Sequence, residues 1–166
     1  MLKSVFCGAA LAAVVLVSGS AVAAGAPSRD DFLKNAIMGD NSEIKLGGLA
    51  AQKAGSPAVR AYGRTLVKDH TKAEAQATRL AAKIGVNPPS RALPKADAEY
   101  LKLRLLSGSN FDQEFVDYMV KDHKEDIHDF SEMARSHRGP VAGLAAQQLP
   151  TLRKHLEIAQ QLKNET

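Results

Sequence analysis

Apolar residues recur along this chain at spacings of three and four, and serine, proline and glycine cut the pattern into four long segments. Ser28 with Asp31 three residues later is a capping-box-like start for a first helix over about 29–54. Gly55-Ser56-Pro57 ends it and begins a second, about 57–84, with Ser56 at the N-cap and Pro57 at the first helical position. The second helix carries Val59, Tyr62, Leu66, Ala73, Ala77, Leu80 and Ile84 on one stripe, and Gly85 closes it. A proline-rich connection, GVNPPSRALPKADAE, leads to a short helical piece around Tyr100 to Leu106. Ser109 and Asp112 are the expected caps of a third long helix, about 110–137, striped by Phe111, Phe115, Met119, Ile127, Phe130 and Met133. Gly139-Pro140 starts a fourth, about 140–163, in which Pro150 predicts a kink or a restart by freeing the carbonyl of Ala146. No segment sustains strand alternation. The expected fold is all-α: a four-helix bundle with a short extra helix between the second and third long helices. The connection there could cross the bundle or fold back. Gly39, Gly47, Gly48 and many alanines suggest close helix approach.

Polar residues interrupt these stripes at matching places. LVKDHTKAEAQ begins at Leu66 and MVKDHKEDIHD at Met119, so Val-Lys-Asp-His is written twice. His70 is four residues after Leu66, His123 is four after Met119 and four before Ile127, and His155 is three after Leu152. Glu43 is four before Gly47, on or beside the inward face of the first helix. Each of the four lies about 20 Å from the start of its helix at 1.5 Å per residue, in helices roughly 40 Å long. Mid-height residues share one level whichever way neighbouring helices run. Three imidazoles and a carboxylate at one level form a candidate metal site, and nitrogen and oxygen donors without thiolate suit Zn, Cu or Fe. Asp69 and Asp122, each just before its histidine, are candidate acceptors that fix a ring tautomer, or alternative ligands. Asp40 and Glu74 lie within one turn of the same layer. The alternative is a histidine–carboxylate layer that only fixes helix register, in a structural or interaction module.

Other chemistry is weakly supported. Glu125-Asp126-Ile127-His128 contains the E-x-x-H spacing of di-iron bundles, yet Glu125 and His128 fall on the polar face and the motif has no second copy. A haem would need an axial pair from two helices or a C-x-x-C-H attachment motif. No nucleotide fingerprint, phosphate loop or serine nucleophile motif is present, and no catalytic residue is assigned.

Composition changes this picture at the start of the chain. Lys3, an apolar run over Val5 to Val17 and small residues ending in Ala21-Val22-Ala23 read as a signal peptide, residues 1–23. The uncharged span is short for a membrane helix, so no spanning segment is expected after cleavage. The expectation is a domain over 24–166 that is periplasmic or secreted. The single cysteine, Cys7, falls in the leader, leaving no thiol chemistry for the domain. The formal charge of +4 includes Lys3, the signs are mixed along the chain, and only 5% of residues are aromatic, which disfavours nucleic acid as a partner.

SEIKLGGLAAQKAGSPAVRAYGRTLVKDHTKA, LSGSNFDQEFVDYMVKDHKE and LPTLRKHLEIAQ together resemble a bacterial exported family, domain of unknown function 4142. The resemblance covers about residues 30–162. It implies a ferritin-like four-helix bundle in the cell envelope, with recurrent polar positions at Glu43, Asp69, His70, Asp112, His123 and His155. It implies no established activity. The paired E-x-x-H motifs of a full di-iron centre are missing from this chain.

Overall fold

A computed structural model describes residues 28–165; the expected leader and Cys7 lie outside the described residues. Five helices follow one another: α1 Arg29–Lys53, α2 Pro57–Lys83, α3 Pro94–Leu105, α4 Gly108–Ser136 and α5 Pro140–Glu165. The start of α1 is the expected box, with Ser28 Oγ accepting from the Asp31 N–H at 3.1 Å and donating to Asp31 Oδ2 at 2.8 Å. Ser56 caps α2 through the Ala58 N–H. Gly85, Gly108 and Gly139 take positive φ at the three later junctions, a region that costs a side chain little only when it is absent.

Two of the expected boundaries need correction. The short helix α3 begins at Pro94, six residues before Tyr100, because Pro94 occupies its first turn and Ser42 Oγ on α1 accepts the Leu93 N–H at 2.9 Å. Asp112 does not cap its own helix. Its two carboxylate oxygens accept the N–H groups of Gly55 and Ser56 at 2.9 and 2.6 Å, capping the α1–α2 turn from across the fold. Hydrogen bonds to a charged acceptor are each worth about 1.5–3 kcal/mol. Asp112→Ala is therefore expected to cost about 3 kcal/mol, read as a lowered urea midpoint, with Asp112→Asn retaining part of it.

Helix α5 runs without a restart through Pro150. Pro150 and Ala146 are both exposed, so water can reach the carbonyl that the missing N–H leaves free.

Helices α1 and α2 form one close hairpin, α4 and α5 another, joined chiefly by α2 against α5. The α1–α2 contact is backbone on backbone. A Cβ placed on Gly47 would stand 2.8 Å from the Gly63 carbonyl oxygen, and one on Gly63 only 2.6 Å from that of Gly47. Gly39 and Gly48 meet nothing there, so of the expected close approaches only Gly47 is one, and its partner is Gly63.

The connection from α2 to α4 crosses the length of the fold along α1. Asn41 reaches the carbonyl of Arg91, Lys45 pairs with Asp97 at 2.7 Å, and Lys53 donates to the carbonyls of Leu103 and Arg104. Since Asp112 sits on the α1–α2 turn, α4 starts at the end where α2 starts.

Apolar burial falls into two clusters. One gathers Leu46, Leu66, Phe111, Phe115, Met119 and Leu162; the other gathers Leu33, Ile37, Phe130, Met133, Leu144 and Leu152. Each such side chain contributes about 1.5–3 kcal/mol on burial. On every long helix the residue between the two clusters is polar and buried: Glu43, His70, His123 and His155, none more than 4% exposed.

Candidate metal centre

The three imidazoles meet in that dividing layer. Ring centroids are 6.0 Å apart for His70 and His123, 5.1 Å for His70 and His155, and 5.3 Å for His123 and His155. Glu43 Oε2 lies 2.7 Å from His70 Nε2 and 3.4 Å from His123 Nε2. One donor atom from each of Glu43, His70, His123 and His155 lies within 4.8 Å of the other three.

Each ring is held by its outer nitrogen. His123 Nδ1 is 3.0 Å from the Met119 carbonyl oxygen. A carbonyl can only accept, so Nδ1 carries a hydrogen and donates it, which leaves Nε2 on the side of Glu43. Asp40 Oδ1 holds His70 Nδ1 at 2.8 Å, and Asp69 Oδ2 holds His155 Nε2 at 3.0 Å. The inner atoms left over are His70 Nε2, His123 Nε2, His155 Nδ1 and both Glu43 oxygens. All five are buried without a hydrogen-bond partner among the described residues. The 2.7 Å approach of His70 to Glu43 is thus an ion-pair contact not aligned as a hydrogen bond. Buried polar atoms without partners are uncommon, and five from four residues gathered in one layer require a physical cause.

The electrostatics follow from who faces whom. Burial opposes ionisation of Glu43, but His123, His70 and His155 surround it and bring its pKa down to about 2. Asp40 has one imidazole and two acids, Glu43 and Glu74, for neighbours, so burial dominates and raises it to about 6. Burial pulls His70 down, yet Glu43 and Asp40 together lift it well above the ordinary value, so this ring carries a proton between them. A cation and that proton compete for the same lone pair. His155 is lowered by burial and by His70, and Asp69 only partly compensates.

Other expected positions turn out differently. Asp69 serves His155 rather than its neighbour His70. Asp122 does not orient His123; Lys95 of α3 binds its Oδ1 at 2.7 Å and Glu125 at 2.8 Å, fastening α3 to α4. Glu74 accepts from Thr78 at 2.8 Å and Asp112 sits at the α1–α2 turn, so neither belongs to the cluster. Glu125 and His128 are exposed, in keeping with a solvated E-x-x-H. The sequence reading missed Asp126, whose carboxylate groups with those of Glu43 and Asp122 within 4.8 Å. Burial, Asp122 and Glu43 raise it well above the usual carboxylate range. Its position three residues after His123 was the available signal.

Among the described residues no helix is long and apolar enough to cross a membrane. No curated protein matches the chain. The crystal structure of a DUF305 fragment from Deinococcus radiodurans is similar in fold, with TM-score 0.75 at 16% identity over 84% of this chain and 97% of that one. The family model described as "Domain of unknown function (DUF4142)" matches residues 17–162, nearly all of the helical region. The chain is a member of the DUF4142 family.

Proposed function

We propose that this protein is an exported, ferritin-like four-helix bundle that binds one divalent transition metal ion through Glu43, His70, His123 and His155. The observation that carries this reading is the set of five inner donor atoms, buried and without hydrogen-bond partners, contributed by four different helices. A tetrahedral ion with metal–nitrogen bonds of 2.0–2.1 Å separates its donors by roughly 3.4 Å, so small side-chain rotations would close the cluster around it. Asp40, Asp69 and the Met119 carbonyl supply the outer hydrogen bonds that hold metal-binding imidazoles in orientation. The N₃O donor set suits Zn, Cu or Fe. The role that follows is metal handling or envelope stress, in the periplasm or outside the cell after cleavage of residues 1–23. No residue is assigned a catalytic part.

One observation favours the second reading, a layer that only fixes packing: protonated His70 is flanked by Asp40 and Glu43 at 2.8 and 2.7 Å, acids that balance its charge. Melting of residues 24–166 with and without Zn²⁺ separates the two. At 100 times Kd, binding to the folded state adds about 2.7 kcal/mol, roughly 8 °C for a domain of this size. The His70/His123/His155 triple alanine variant should show no such rise. Metal-insensitive melting of the wild type would favour the packing layer.

A further inference from the structure

A cavity of about 410 Å³ opens beside the cluster. Its wall carries five carboxylates, Asp40, Asp69, Glu125, Asp126 and Asp129, against two lysines, with Phe32, Phe130 and Leu152 as low-dielectric lining. An acidic, apolar-walled recess concentrates cations by focusing the field of its charges. Acidity alone would describe many surfaces. Here His70 is also on the wall, 4% exposed, so the cavity reaches a residue of the four-residue cluster whose Nε2 is buried and unpartnered behind it. A chain of shared residues continues inward. Asp126 belongs both to the cavity wall and to the carboxylate trio with Asp122 and Glu43, whose oxygens lie within 4.8 Å of one another. Glu43 belongs both to the trio and to the histidine cluster, and has two buried oxygens without a hydrogen bond. Lys95 answers only part of the trio's charge, through Asp122 Oδ1.

We propose that the cavity is the loading route for a hydrated divalent cation, and that Glu43, Asp122 and Asp126 form a transfer station delivering it to the three histidines. The inference rests on the metal-binding reading and adds its route. Each step replaces water by carboxylate oxygen and then carboxylate by imidazole, within groups whose donor atoms lie no more than 4.8 Å apart. Asp122 and Asp126 lower the barrier between two end states without belonging to either, whereas Glu43 is also a ligand of the final site. Loss of either aspartate must slow uptake and release by the same factor and leave Kd unchanged.

Cu²⁺ is the probe, since imidazole-rich sites favour it most among the divalent first-row ions. Its arrival is followed by stopped-flow quenching of tyrosine fluorescence, the Tyr62 ring being 6.4 Å from that of His155 in a chain without tryptophan. Two variants of the full mature chain are compared with wild type. Asp126→Asn removes the station's outer carboxylate. Gly39→Leu narrows the cavity from α1 at a position where an added Cβ meets nothing within 4 Å, and its urea midpoint is measured beside its rates. Both should slow uptake and release in parallel, Asp126→Asn by at least tenfold, the scale of electrostatic steering, with Kd within about threefold of wild type. Wild-type rates in both variants would overturn the route while leaving the site intact. Faster release with weakened Kd in Asp126→Asn would make Asp126 a ligand and overturn the station. A wild type that takes up no Cu²⁺ would overturn route and site together.

Discussion

His123→Ala is expected to weaken Zn²⁺ binding by more than about 100-fold, because loss of hydrogen-bonding partners around a metal site already costs about 10–100-fold. His123 is fully buried, and its Nε2 is turned toward Glu43 by the hydrogen bond of Nδ1 to the Met119 carbonyl. Asp40→Ala and Asp69→Ala, which release His70 and His155 from their outer anchors, should fall in that 10–100-fold range. Glu125→Ala and His128→Ala, exposed on the same helix as His123, should leave the affinity unchanged. Competition titration against a chromogenic chelator orders the five variants. Equal effects from inner, outer and exposed positions would contradict the assignment.

Gly63→Ala carries the second large effect, on stability rather than on binding. The new Cβ would lie 2.6 Å from the Gly47 oxygen and 2.8 Å from the Ala51 nitrogen, both backbone atoms that cannot swing aside. Overpacking of this kind costs about 3 kcal/mol at the upper end, and alanine's better helix propensity returns about 1. A net loss near 2 kcal/mol follows, with α1 and α2 forced apart at the level next to Glu43. Gly39→Ala is the control in the same hairpin. Its Cβ meets open space, so the propensity gain of up to about 1 kcal/mol stands alone and the variant should be stabilised. Urea midpoints of opposite sign relative to wild type check the pair; a tolerated Gly63→Ala would show that the helices are not in backbone contact.

The histidines were legible in the sequence because each occupies a place in an apolar stripe, and a three-four spacing dictates a face whatever the neighbours do. The shared level followed from the rise per residue. The pairing of carboxylates with rings was not legible. Asp69 precedes His70 by one residue and so points elsewhere on α2, and only the rotation of α5 against α2 brings His155 to it. Asp126 was hidden in the run Lys124-Glu125-Asp126, between the solvent and core faces of α4, where periodicity gives an ambiguous answer. Gly63 escaped notice for a similar reason: glycine marks a close approach only once the facing residue, Gly47, is known. The start of α3 at Pro94 could have been read from proline's preference for the first turn, but two earlier prolines, Pro88 and Pro89, made the whole stretch look like loop.

In the proposed site, three imidazoles and one carboxylate from four helices surround a single ion. X-ray absorption at the metal edge of the Zn²⁺-loaded mature protein tests this most directly. One zinc per chain is expected, with four nitrogen or oxygen neighbours at about 2.0–2.1 Å and the outer-shell scattering of three imidazoles. Loaded protein whose zinc shows oxygen neighbours alone, without imidazole scattering, would contradict it.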